Sequence, residues 1–308
     1  MRSRTRPEAT MSGPDFIPAA VRARLRDLRL DGRRATGGHG FGQHRSRSRG
    51  AGLEFAQYRA YEPGDELRQV DWKLYARSDR FFVREAERDS PLTAWVLVDT
   101  SASMAQGDAA RSGWNRLDLA RGLAACAFEL ALRQGDQFGF AAIGGDGLHL
   151  VPAGAGPRQR DRCLLGLHAL RSGGGWPDEG RLRPLWERIG PGHLVLVLSD
   201  GFDEACIGLM EKLSAARREV MHLQLLTAEE RDFPFRGGHR FRDPESGEER
   251  VTDAPSARAA FLAEFTDARR RQHARLAAAG IRSDVAWLDE PMDLPLRRLL
   301  APGAAERA

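Results

Sequence analysis

Along the second two-thirds of the chain, short apolar runs alternate with helix-length segments whose apolar residues recur every three or four positions. Trp95–Val98 and Leu194–Leu198 are apolar throughout, the pattern of strands buried on both faces, and Val220–Leu226 is read as a further strand. Between them, Asp118–Arg133 carries Leu119, Leu123, Ala127 and Leu130 on one side and stops at Gly135, as a helix does. Gln137–Ile143 and Leu148–Val151 flank a Gly-rich turn and predict a hairpin. Helices are expected over Pro157–Leu170, Leu182–Ile189 and Ala205–Arg218. Thr227–Arg250 is rich in Pro, Gly and charge, an excursion with a small hairpin around Asp243–Gly247. A long helix from Ser256 to Ala279, marked by Ala260, Phe261, Phe265 and Leu276, precedes a last strand, Ser283–Leu288, and a last helix, Leu294–Leu300. This alternation over about 200 residues predicts an α/β fold with a doubly wound, mostly parallel sheet flanked by helices.

The first third reads differently. Ile17, Val21, Leu25 and Leu28 place a short amphipathic helix in residues 14–30, and residues 31–50 form a Gly-, Ser- and Arg-rich linker. Residues 51–92 predict a small β-containing subdomain: a strand through Phe55, a turn at Glu62–Asp65, a helix over Arg68–Ala76 and a returning strand at Phe81–Glu85. The expected domains are therefore 1–50, 51–92 and 93–301.

Composition narrows the function classes. A hydrophobic content of 42% in 308 residues provides for a substantial core. No apolar stretch is long enough to cross a bilayer, and no apolar segment of a secretory signal follows the charged amino terminus. Cys126, Cys163 and Cys206 form no C-x-x-C pair, which fits a reducing compartment, and a cytoplasmic location is expected. The formal net charge of +4 is spread along the chain, apart from a cluster at Arg33, Arg34, Arg45, Arg47 and Arg49. Binding to nucleic acid needs a clustered basic face, so it is disfavoured here.

The candidate chemistry lies where the apolar runs stop. Trp95–Val98 ends in Asp99, Ser101 and Ser103, and Leu194–Leu198 ends in Ser199 and Asp200. Open α/β sheets bind ligands at the carboxyl ends of their strands. If these two strands are neighbours, the carboxylates of Asp99 and Asp200 share one crevice with the hydroxyls of Ser101 and Ser103. Such hard oxygen donors suit magnesium, or manganese or calcium, in preference to zinc. D-x-S-x-S alone arises by chance in roughly 1 chain in 25 of this length, and each Asp or Ser also suits the cap of a following helix.

Asp99, Ser101, Ser103 and Asp200 resemble the metal-ion-dependent adhesion site of von Willebrand factor type A domains. The resemblance implies a divalent cation bound by the two serines and by the carboxylates, directly or through water. It also implies a partner whose acidic side chain completes the coordination. That family adds a Thr from an intervening loop; the corresponding segment, Gly173–Gly180, has none, and Asp178 is the candidate in its place.

A more specific resemblance lies upstream. Gly52, Glu54 and Phe55, then Arg59, Tyr61–Asp65 with Gly64, Arg68, Asp71-Trp72, Arg77 and Val83–Glu85 are similar to the domain-of-unknown-function-58 family. With the type A-like region the likeness spans about residues 50–300. It implies a bacterial protein paired with a MoxR-type AAA+ ATPase, acting without enzymatic activity in the assembly or activation of other proteins. The interleaved charges of Arg59, Asp65, Arg68, Asp71 and Arg77 read as a structural network of ion pairs. A magnesium-dependent hydrolase and a nucleic-acid-binding protein are the alternative readings. The first lacks a His–carboxylate pair or nucleophile elbow in the sequence around the strand ends.

Overall fold

A computed structural model describes residues 16–30, 55–61, 70–86, 91–145 and 147–301. The described residues divide into two compact units: 16–30 with 92–301, and 55–61 with 70–86 and 91. The linker arginines 33–49, together with Gly64, Asp65 and Arg68 and the side chain of Arg59, lie outside the described residues.

The amino-terminal helix α1 (Ala19–Arg24) begins after Pro18 and is much shorter than the 14–30 segment expected. Its segment nevertheless buries Ile17, Val21, Leu25 and Leu30 against the main core. In the smaller unit, β1 (Phe55–Ala60) pairs antiparallel with β2 (Phe82–Ala86), with a register irregularity between Phe55 and Gln57. Between them lies α2 (Trp72–Ser78), while residues 68 and 69 of the expected Arg68–Ala76 helix lie outside the described residues. The Asp71 carboxylate accepts from the Lys73 and Leu74 N–H groups, an N-cap for α2, and Val70 bridges to Val83. Asp71 is thus a cap in addition to any role in a charge network, and Arg77 is exposed.

The larger unit is built on a six-stranded sheet. Its strands are β3 (Thr93–Asp99), β4 (Gln137–Gly144), β5 (Gly147–Gly154), β6 (Leu194–Ser199), β7 (Glu219–Leu226) and, after the β8 (Gly238–Arg242)–β9 (Glu249–Asp253) hairpin, β10 (Arg282–Trp287). Their order is β10-β7-β6-β3-β4-β5, parallel except for the edge strand β5. The helices are α3 (Arg116–Gln134), α4 (Pro157–Ala169), α5 (Arg183–Arg188), α6 (Glu204–Ala215), α7 (Ala228–Asp232), α8 (Ala254–Ala278) and α9 (Asp293–Leu300). This is the doubly wound α/β architecture that the hydrophobic pattern predicts.

Strand alternation sorts the core into two layers. Ala94, Val96 and Val98 of β3 and Leu194, Leu196 and Leu198 of β6 face the layer holding α1, α3, α4 and α9. Trp95, Leu97, Val195 and Val197 face the layer with α5 and α6. Trp95 lies flat over Gly139 of β4, where a Cβ would come within 2.7 Å of its ring. Its Nε1 donates to His193 Nδ1 at 3.3 Å, which gives that histidine a structural task at the amino-terminal end of β6. Because β4 lies on one side of β3 and β6 on the other, the chain reverses its winding between β3 and β6. That is the switch point at which such sheets open a crevice.

Candidate functional site

The crevice between the carboxyl ends of β3 and β6 brings the sequence candidates together. Val98 pairs with Leu198, so Asp99 and Ser199 emerge side by side. Ser199 Oγ donates to Asp99 Oδ2 at 2.6 Å, and the Ser101 N–H donates to Asp99 Oδ1 at 2.8 Å. Ser101 Oγ and Ser103 Oγ share a hydrogen bond at 3.0 Å. All four side chains, with Asp200, are buried.

None of these residues acts as an ordinary helix cap. The 3-10 turn over Ala102–Ala105 has Ser101 at its N-cap without a side-chain bond. Helix α6 is capped by Asp203, whose carboxylate accepts from the Ala205 N–H. Asp200 is turned elsewhere. Its Oδ2 accepts from Arg116 Nη1 at 2.8 Å and its Oδ1 from the Phe202 N–H at 3.2 Å. Arg116 is 3% exposed, and the same Nη1 also donates to the Ser103 carbonyl at 3.1 Å, while Nη2 is held by Glu230. Glu230 in turn closes the capping box of α7 with Thr227.

The two carboxylates therefore have unlike surroundings. Asp200 is paired with a buried guanidinium. Asp99 is not: burial pushes it up to about 6, the Ser199 hydroxyl opposes that shift, and the negative charge of Asp200 adds to it. The same negative field reaches Glu245 at the tip of the β8–β9 hairpin. That carboxyl is raised first by burial and then by Asp200, Asp203 and Asp99. Cys206 lies buried beside the crevice, its thiol raised by burial and by the charge of Asp99, so it is an inert core group.

The Gly-rich segment runs along the rim. Ala102 N–H donates to the Gly174 carbonyl at 2.7 Å, and Gly173 N–H to the Thr100 carbonyl at 2.9 Å. A Cβ on Gly145 would stand 2.5 Å from the Gly173 carbonyl oxygen, so the close approach of these backbones needs glycine. Asp178 lies further along this segment, exposed, and no hydrogen bond joins it to Asp99, Ser101, Ser103 or Asp200.

The donor set fits a divalent cation in part. Oxygens on adjacent positions of a magnesium octahedron, each about 2.0–2.1 Å from the ion, stand about 2.9 Å apart. The Ser101 and Ser103 hydroxyls have that spacing. Asp99 supplies a buried carboxylate that has no cationic partner among the described residues, whereas the Asp200 carboxylate is already engaged by Arg116.

Sequence reasoning missed Arg116, Ser199 and Glu230. A signal existed for Arg116: a cation in the first turn of a helix opposes the helix dipole, so its place there calls for a nearby anion. The Asn115–Asp118 capping box starts α3 at Arg116, two residues before the start expected from the apolar spacing.

Fold and crevice together define a doubly wound α/β domain with an oxygen-rich centre at its switch point. The chain belongs to the family described as "Protein of unknown function DUF58", whose model matches residues 57–275. It is 29% identical over 296 residues to the uncharacterized protein Rv1480 of Mycobacterium tuberculosis, covering 92% of this chain and 86% of that one. An uncharacterized protein of Mycobacterium bovis matches to the same extent. Among solved structures, the chain is similar to BatB from Bacteroides thetaiotaomicron, with 14% identity and a TM-score of 0.42, covering 70% of this chain and 100% of that one. It is also similar to the SpRpn10 VWA domain, with 12% identity and a TM-score of 0.38, covering 68% and 94%.

Proposed function

We propose that this chain is a non-enzymatic protein-binding and assembly module centred on an adhesion-type cation site, working in the cytoplasm with a MoxR-type AAA+ ATPase. The observation that carries the reading is Asp99: a buried carboxylate without a cationic partner among the described residues, beside two hydroxyls at the spacing of adjacent cation ligands. Asp99, Ser101 and Ser103 would hold the ion, and Asp200 would stand behind them, fixed by Arg116. When bound, the cation supplies a positive charge on which an acidic side chain of a partner closes. Phe202, 53% exposed and within 5.6 Å of the Arg116 guanidinium, offers an aromatic contact at the rim. Cys126 and Cys163, pushed up to about 12 by burial, and buried Cys206 are core thiols without disulfides, consistent with a reducing compartment. The ATPase partnership draws its support from the family membership.

Affinity capture from the native host tests this reading. With magnesium present, the wild-type chain should retain an AAA+ ATPase identified by mass spectrometry. Retention should fall at least tenfold with chelator or in Ser103→Ala. Equal retention under all three conditions would refute the cation-centred reading.

A further inference from the structure

Helix α8 spans 25 residues yet buries only Ala254 and Leu276. Between its carboxyl-terminal half and strands β7 and β10 lies a cavity of about 330 Å³. Buried polar atoms in folded proteins are nearly always paired, and three side chains lining this cavity depart from that rule. Among the described residues, the Ser283 hydroxyl, Arg269 Nε and both ring nitrogens of His222 are buried without a well-formed hydrogen bond, the imidazole having only the Ser199 backbone nearby. His222 is 1% exposed.

The charges around the cavity do not balance. Asp284 is committed to Arg298 at 2.7 Å, and Arg270 to Asp267 at 2.5 Å. Arg269 forms no salt bridge among the described residues. Its guanidinium stands 5.8 Å from the Phe265 ring and 5.1 Å from the Trp287 ring. Burial lowers its affinity for a proton, with Asp284 and Glu230 acting in the opposite sense from a distance. A guanidinium without a counter-ion, an unpaired hydroxyl and an unpaired imidazole on one cavity form a donor set for an oxyanion. The space is about ten times the ~30 Å³ that one water occupies in the liquid. It also reaches the lower range of small-molecule pockets.

We propose that the cavity under α8 binds a small organic anion, its phosphate or carboxylate head held by Arg269, Ser283 and His222. The site lies directly behind the turn that follows β6. Gln272, on the same cavity wall, donates to the Gly201 carbonyl at 2.5 Å and accepts from Gln224, which also donates to the Asp200 carbonyl at 3.0 Å. Binding here requires no cation at Asp99, so it stands independently of the adhesion-site reading.

Thermal shift and isothermal titration calorimetry on the full chain provide the test, in metal-free buffer. The probes are inorganic phosphate, glycerol 3-phosphate and succinate, with sodium chloride at matched ionic strength as reference. At least one probe raises the melting temperature above the reference and binds with a measurable heat. Which probe binds separates a phosphate head from a carboxylate head. Arg269→Gln weakens that binding tenfold or more and Ser283→Ala at least threefold. Arg183→Gln, at a guanidinium on α5 that is 83% exposed, leaves it unchanged. The proposal is overturned if no probe exceeds the salt reference, or if both cavity variants bind as wild type does. Should Arg269→Gln fail to fold by circular dichroism, unchanged affinity in Ser283→Ala alone overturns it.

Discussion

Helices α3 and α8 both reach the turn that follows β6, and they do so in opposite ways. Thirteen of the 19 residues of α3 are buried, and its first turn sends Arg116 into the crevice to hold Asp200. Only two of the 25 residues of α8 are buried, and it touches the same turn through Gln272, an amide beside a polar cavity. A packed apolar helix with a buried ion pair leaves Asp200 one arrangement. A helix propped on polar groups over open space has room to adjust. The rigid half of the site is therefore on the α3 side and the adaptable half on the α8 side.

Hydrogen exchange offers the widest contrast. Local opening is easiest where few apolar contacts must break, whereas core helices exchange only through global unfolding. Central amides of α3 should exchange at least 100-fold more slowly than those of α8 between Glu264 and His273. Equal protection would remove the contrast. Of similar size is the effect of Arg116→Met. Leaving Asp200 buried without its guanidinium costs about 3–5 kcal/mol, read as a lower urea midpoint. Adding Asp200→Asn to that variant should recover part of the loss. A penalty below 1 kcal/mol would mean that water, and not Arg116, satisfies Asp200.

A smaller effect sharpens the α8 side. Burial holds His222 down to about 4, below the ordinary 6.5, against a smaller opposing influence of the Ser199 backbone. The folded chain then refuses a proton that the unfolded chain accepts. The stability present above pH 6.5 is lost as pH falls toward 4. Between pH 7.5 and pH 5 this amounts to about 2 kcal/mol, absent in His222→Gln. Arg269, Arg270, His273 and Asp284 border the same cavity, so the difference between wild type and variant isolates His222. Parallel pH profiles would show that the imidazole is hydrated in the native state.

The centre of the sheet was legible in the sequence because strands buried on both faces are apolar runs, as the centres of β3 and β6 are, whereas β7 buries His222 and Gln224 within its run. Alternation with helices allowed β3 and β6 to be neighbours without requiring it, and the sheet order makes them so, bringing Asp99 to the end of β6. What the sequence withheld was the third dimension of the site. Ser199 reads as the last residue of an apolar run, and only pairing with β3 turns its hydroxyl to Asp99. Arg116 is one arginine among many until the Asn115 cap sets the first turn of α3 against Asp200. The pattern of α8 misled in a different way. Ala260, Phe261 and Phe265 suggest a core stripe, yet Ala260 is exposed and the two phenylalanines are half-buried. Phe261 packs on Phe233 of the excursion at 4.7 Å, so this apolar face meets an added segment and not the sheet.

The cation site proposed at Asp99, Ser101 and Ser103 lies at the carboxyl end of β3. Manganese binding to the chelator-treated chain, followed by calorimetry and by the loss of the free-ion electron paramagnetic resonance signal, addresses it most directly. One manganese ion should bind per chain, displaced by magnesium, with affinity at least tenfold weaker in Asp99→Asn and in Ser103→Ala. Binding of equal strength in wild type and Asp99→Asn, or no binding to a folded wild-type chain, would contradict the proposed site.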